Sequence, residues 1–161
     1  MQILPAFKLI RPASVPEASA LLARDPAARV LAGGTDLIAN LRHGLGEPST
    51  LVDLGGLVDL AGIEAEGGGL RIGAGVTLAQ LAAHARVRAA YAAVAQAAAA
   101  IAGPGHRSAA TVGGNLCLDT RCVFYNQSDW WRGAKGYCLK HGGDTCHVAP
   151  QGKICRAAYS G

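Results

Sequence analysis

Charged and aromatic side chains are scarce in this sequence. Asp, Glu, Lys and Arg make up 16% of the 161 residues, and Phe, Trp and Tyr make up 5%. With half the residues hydrophobic, so small a charged fraction excludes wholesale disorder, because the chain can bury enough apolar surface to offset its ordering entropy. No apolar run reaches the roughly 20 residues of a membrane span, and the start, MQILPAFKLIRP, lacks the charged-then-apolar order of a secretory signal. The expected location is therefore the cytoplasm. Cysteine is missing from the first 116 residues, after which Cys117, Cys122, Cys138, Cys146 and Cys155 fall within 45. In a reducing compartment that supply argues against a disulfide framework. Aromatics shift in the same way: only Phe7 and Tyr91 come early, whereas Phe124, Tyr125, Trp130, Trp131, Tyr137 and Tyr159 share the cysteine segment. The net charge of +4 also sits there, with eight acids against nine bases up to residue 116 and three against six afterwards. Two compositions imply two roles.

The first 116 residues read as alternating short elements. Ser14 with Glu17 three residues on, and Pro16 in the first turn, predicts a helix with Ala18, Leu21 and Leu22 on one face, ending near Asp25 and Pro26. Arg29 to Ala32 reads as a short buried strand running into Gly33, Gly34, Thr35 and Asp36. A second helix through Leu37, Ile38 and Leu41 then closes at Gly44. Thr50 to Leu54 is a further strand, and Gly62 to Glu66 is expected to pair with Leu70 to Gly73 across Gly67, Gly68 and Gly69. Thr77 with Gln80 repeats the capping pattern before Leu78, Leu81 and Ala82, and alanine-rich Val87 to Ile101 predicts one long helix. Beyond Gly103 the pattern becomes glycine-rich and irregular, with no helical or strand period from Asp119 onward. There is no internal repeat.

Two glycine turns carry the binding chemistry. In VLAGGTDL, residues 30–37, a bare backbone lets consecutive amides converge on an anion, and Thr35 adds a hydroxyl ahead of a helix. TVGGN, residues 111–115, repeats the chemistry with a hydroxyl, two glycines and an amide side chain. Two such turns could grip the two phosphates of a dinucleotide. Neither fits Gly-x-Gly-x-x-Gly or the Walker lysine loop, which excludes the usual NAD and ATP readings.

FKLIRPASVPEASALL, VLAGGTDL, the IGAGVTLAQL of residues 72–81 and SAATVGGNL, in this order, resemble the FAD-binding medium subunit of the xanthine dehydrogenase family of molybdenum hydroxylases. The resemblance implies an α+β fold, a PCMH-type FAD-binding domain of two small α/β subdomains. Residues 1–54 would form the first subdomain and 55–118 the first part of the second. The rest of that subdomain and a C-terminal domain would lie outside this chain. It further implies FAD binding by Arg29, Val30, Leu31, Ala32, Gly33, Gly34, Thr35 and Asp36, by Ile101 beside the flavin, and by Thr111, Val112, Gly113, Gly114 and Asn115. Arg107 matches a basic position before the second turn, while Ser108 departs from the usual asparagine. No side chain need act as nucleophile or general base, since the flavin carries the redox chemistry. Asp36, Asp53 and His106 are expected to serve turns and caps.

Residues 119–161 interrupt this pattern. Cys122, Cys138, Cys146 and Cys155 are separated by fifteen, seven and eight residues, so none has zinc-ribbon spacing. Their residue types leave three readings open: a 4Fe-4S cluster, zinc with His141 or His147 as further ligands, and unligated thiols. Basic Arg121, Arg132, Lys135, Lys140, Lys153 and Arg156 could offset a cluster's negative charge. In the resembling family, an iron–sulfur insertion in the flavin subunit marks the 4-hydroxybenzoyl-CoA reductases, whose beta subunit this chain is similar to. That similarity implies a 4Fe-4S cluster on the four cysteines, with Cys117 a buried or spacer thiol. It also implies ferredoxin as electron donor, a large molybdenum-cofactor subunit and a small 2Fe-2S subunit in a dimer of heterotrimers, and neither nucleic acid nor membrane as partner. The alternatives are a hydroxylase flavin subunit with a structural zinc loop, and a basic zinc-binding module for nucleic acid.

Overall fold

The computed structural model describes residues 3–157, so Tyr159 and the end of the 119–161 segment lie outside the described residues. The first three strands, β1 (Lys8–Ile10), β2 (Arg29–Leu31) and β3 (Thr50–Asp53), form a parallel sheet in the order β1-β3-β2. Leu9 pairs with Leu51 and Val30 with Val52, and Leu54 N donates to Leu31 O at 2.8 Å just past the ladder. Central β3 is covered on both faces, so Leu51 and Val52 are fully buried, as a parallel sheet requires. Strand β1 has no strong alternation and was not expected from the sequence; its pairing with β3 creates it.

Parallel neighbours need crossovers, and two helices supply them. Helix α1 (Val15–Arg24) starts at Ser14, whose Oγ accepts from Glu17 N at 3.3 Å. Glu17 reaches back to Ala13 N at 2.7 Å, one residue earlier than a capping box would place it. Ala18 packs with Ala28, Val52 and Leu57 in one buried cluster, flanked by Leu21, Leu22, Leu54 and Leu60. Helix α2 (Leu37–Arg42) ends at Gly44, whose φ of +68° suits glycine.

A second cluster gathers Val76, Leu78, Leu81, Val87, Ala95 and Ala98. Its elements are the hairpin β4 (Ile63–Glu66) with β5 (Gly69–Ile72) and the helices α3 (Leu78–Ala83), α4 (Ala85–Ala90) and α5 (Ala92–Ala100). The hairpin turns on Gly67 and Gly68 alone, both at positive φ, because Gly69 already pairs with Glu66. Thr77 and Gln80 form a complete capping box at the start of α3. The single helix expected over 87–101 is instead two, broken at Tyr91 with φ −135° and ψ 50°. Alanine favours helix at every position but fixes no direction. Val87 of α4 and Ala95 and Ala98 of α5 all reach the same cluster, and the break lets both helices pack there.

Three further helices correct the expectation of irregular chain beyond Gly103: α6 (Pro104–Arg107), α7 (Val112–Leu116) and α8 (Asp129–Ala134). The signal for α8 was present in Ser128, whose Oγ accepts from Trp131 N at 3.3 Å. Among the described residues, no helix is long and apolar enough to cross a membrane.

Candidate functional site

Strand β2 delivers the first glycine turn to the start of α2. Arg29, Val30 and Leu31 form the strand itself, and the Arg29 guanidinium turns back onto Pro26 O and Ala28 O at 2.9 and 2.8 Å. Ala32 leads into Gly33 and Gly34. Among the described residues, the amides of Gly33, Gly34, Thr35 and Asp36 donate to no protein group, and neither does the Thr35 hydroxyl. Unpaired consecutive amides at a helix start are the geometry that receives an anion. Gly34 sits at φ +71°, which swings the chain from strand to helix.

The second turn is built differently. TVGGN is not an open loop: Thr111 caps α7, and its Oγ1 accepts from Gly114 N at 3.1 Å. Val112 N donates to Val76 O and Gly113 N to Ala74 O, both at 2.8 Å, and Asn115 N donates to Thr111 O at 2.9 Å. Four amides expected to face a phosphate are therefore used within the protein. What remains for a ligand is the half-buried Asn115 side chain, which has no partner among the described residues, and the exposed backbone of Gly114. Gly113 serves packing, since a Cβ there would lie 2.8 Å from the Ala74 Cβ.

The two turns meet through Gly33. A Cβ at that position would fall 1.9 Å from the Ala109 carbonyl oxygen, so only glycine lets β2 approach the chain leading into Thr111. Ile101 is half buried against the second cluster. Arg107, six residues further on, donates to the carbonyls of Ile101 and Ala102 and so fixes the bend in which Ala102 takes a φ of +47°. The basic side chain before the second turn thus holds Ile101 in place. Asp53 pairs with Arg11 at 3.0 Å and accepts from Gly55 N at 3.0 Å; that amide and the guanidinium hold its carboxyl below the usual range. His106 is exposed on α6, and its carbonyl accepts from Ala110 N.

The cysteine segment folds around a second site. Cys122, Cys138, Cys146 and Cys155 all line one cavity of about 480 Å³. Phe124, Leu139, Val148 and Ile154 supply apolar wall, and Lys140, Lys153 and Arg156 bring positive charge. Cys117 does not line the cavity and is exposed, which overturns the buried half of its reading as a buried or spacer thiol. It ends α7, its amide bonded to Gly113 O, so its place is set by helix geometry. His147 spends Nε2 on Tyr137 O at 2.6 Å, and among the described residues no three His, Cys, Asp or Glu side chains gather around one ion position. Asp119 holds Lys140 at 2.9 Å. Burial would raise its carboxyl's pKa, but Lys140 and the Thr120 amide outweigh that and hold it below its ordinary value. Burial pushes the cavity-lining Tyr125 phenol up, helped by the Asp119 charge.

This arrangement, a parallel three-strand unit presenting free amides beside a helical unit, has clear relatives. Residues 5–134 match the model of the FAD binding domain in molybdopterin dehydrogenase. The chain is 43% identical over 108 residues to a xanthine dehydrogenase FAD-binding subunit of Escherichia coli O157:H7, covering 66% of this chain and 37% of that protein. It is 34% identical over 113 residues to the nicotine 6-hydroxylase medium subunit of Paenarthrobacter nicotinovorans, covering 70% and 40%. Among solved structures, carbon monoxide dehydrogenase from Hydrogenophaga pseudoflava superposes with a TM-score of 0.69 at 35% identity, over 71% of this chain and 40% of that one. The chain belongs to the family of FAD-binding domains of molybdopterin dehydrogenases. It spans about two fifths of the length of these relatives.

Proposed function

We propose that this chain is the flavin-binding and iron–sulfur part of an electron-transfer subunit in a molybdenum-dependent reductase of the 4-hydroxybenzoyl-CoA type. The observation that carries this reading is that four cysteines, spread over 34 residues of sequence, line one cavity while the fifth does not. A cubane cluster needs four thiolates around a space larger than one ion, without fixed spacing in sequence. Positive charge on the wall offsets the negative charge of such a cluster.

In the flavin site, the free amides of Gly33, Gly34, Thr35 and Asp36 would hold a pyrophosphate, with Thr35 adding a hydroxyl and Asn115 facing it from the second turn. Gly33 keeps the two walls in contact, and Ile101, fixed by Arg107, offers an apolar surface. Bound FAD would supply exchange between one- and two-electron carriers; the protein positions and tunes it. The partners in this reading are a large molybdenum-cofactor subunit, where 4-hydroxybenzoyl-CoA loses its phenolic hydroxyl to give benzoyl-CoA, and a small 2Fe-2S subunit. The assembly is a dimer of heterotrimers, cytoplasmic, with reduced ferredoxin as donor.

The test is iron analysis and electron paramagnetic resonance on the flavin subunit as the cell makes it, purified without oxygen. The expected content is about four irons per chain, lost on Cys122→Ser, Cys138→Ser, Cys146→Ser or Cys155→Ser and kept on Cys117→Ser. Zinc in place of iron would overturn the redox reading of the segment. Failure of the assembled enzyme to form benzoyl-CoA with reduced ferredoxin would overturn the substrate.

A further inference from the structure

Helix α2 is held at both ends by arginines of the cysteine segment. At its start, Arg121, the residue before Cys122, pairs with Asp36 Oδ1, and Asn40 Nδ2 donates to the same oxygen at 3.1 Å. At its end, Arg132 Nη2 donates to Gly44 O at 2.9 Å across 88 residues of sequence. The Arg132 side chain is only 2% exposed. Its Nε donates to Gln127 O at 3.2 Å, its Nη2 also reaches Asp129, and its guanidinium lies 5.9 Å from the ring centres of Tyr125 and Tyr137. Tyr125 lines the cysteine cavity and Tyr137 precedes Cys138. Burying a guanidinium is costly, and a lysine, with a single nitrogen, could not divide its donors as Arg132 divides Nε and Nη2 among three acceptors. The flavin helix and the cavity wall are thus tied through one side chain.

Asp36 adds a chemical reason for the other anchor. An aspartate at a helix start normally turns its carboxylate onto the second or third amide of the helix. Asp36 is the cap residue of α2 and makes no such bond: its backbone is helical, with φ −106° and ψ −60°, and its carboxylate meets Arg121 and Asn40 instead. Unneutralised, that carboxylate would put a negative charge on the turn whose amides of Gly33 to Asp36 are free, and so would repel a phosphate there. Paired with Arg121, its charge is offset.

We propose that Arg121 and Arg132 are positioning residues for the flavin phosphates: the cysteine segment clamps α2, and Arg121 offsets the Asp36 charge beside the amides of the first turn. FAD affinity then depends on a segment that supplies no ligand to FAD. This rests on the flavin reading above. It is measured by titrating the flavin-free subunit, in its native length, with FAD and following the quenching of flavin fluorescence. Arg121→Gln is expected to weaken FAD about tenfold, a loss of about 1.4 kcal/mol. Arg121→Gln with Asp36→Ala is expected to return to within about threefold of the parent, since the unneutralised carboxylate is gone. A general loss of structure would not be rescued by a second truncation. Arg132→Lys keeps the charge and loses the fork, so FAD is expected to weaken and amide exchange to quicken over residues 40–44. Unchanged affinity in Arg121→Gln, or a double variant as weak as the single one, overturns the proposal. Failure of the parent subunit to bind FAD overturns the flavin reading itself.

Discussion

The two glycine turns have nearly the same composition and opposite economies of backbone hydrogen bonds. In the first, four successive amides are free and the glycines let the chain turn and approach Ala109. In the second, the amides are bound within the protein, and one glycine lies against Ala74 while its neighbour sits exposed on a short helix. The difference is one of surroundings. The first turn leaves an edge strand of the sheet, where no described residue accepts from its amides, whereas the second runs beside the carbonyls of Ala74 and Val76. A glycine pair in sequence therefore names a place where backbone must come close to something, and tertiary structure chooses between ligand and protein.

The comparison breaks most sharply at Gly33. Gly33→Ala would drive a Cβ into the Ala109 carbonyl, and the two turns must separate. The expected outcome is loss of FAD binding and destabilisation of about 1–3 kcal/mol, the range for overpacking, read by flavin fluorescence and thermal unfolding. Gly34→Val, at positive φ, is expected to lose FAD as well. Next comes Gly114→Val, whose Cβ would lie 3.1 Å from the Thr111 hydroxyl that caps α7. It is expected to lower FAD occupancy and to cost stability by no more than that cap is worth, about 1 kcal/mol; stoichiometric FAD in this variant would remove the second turn from the site. Thr111→Ala is expected to cost about 1 kcal/mol through loss of the helix cap, with Thr111→Ser restoring most of it, in chemical denaturation. The smallest effect is electrostatic. Asp53 and Asp119 both have carboxyl groups lowered in the folded chain, so each stabilises it above the ordinary aspartate pKa and loses that contribution as pH falls through the lowered value. Denaturation midpoints are expected to fall in acid below about pH 4, and Asp53→Asn is expected to flatten that fall.

Much of the framework was legible because it is local. Ser14, Thr77 and Gly44 mark helix ends through their own backbone and side-chain chemistry, and Gly67 with Gly68 marks the hairpin. The break at Tyr91 was not legible, since alanine carries no signal for where a helix should bend. Nor was β1, which depends on an edge of β3 that only the folded chain provides.

Sequence alone determined the chemistry at hand: hydroxyl-bearing glycine turns, a late supply of thiols, and basic side chains among them. It did so because residue type fixes what a group can bind. Which groups stand together was decided by tertiary structure. Only the fold brings Cys122, Cys138, Cys146 and Cys155 to the lining of one cavity, spends the amides of Val112 to Asn115 while sparing those of Gly33 to Asp36, and brings Arg121 and Arg132 onto α2. These are contacts between residues up to 88 positions apart, and no local preference encodes them because each depends on where the other segment has already packed.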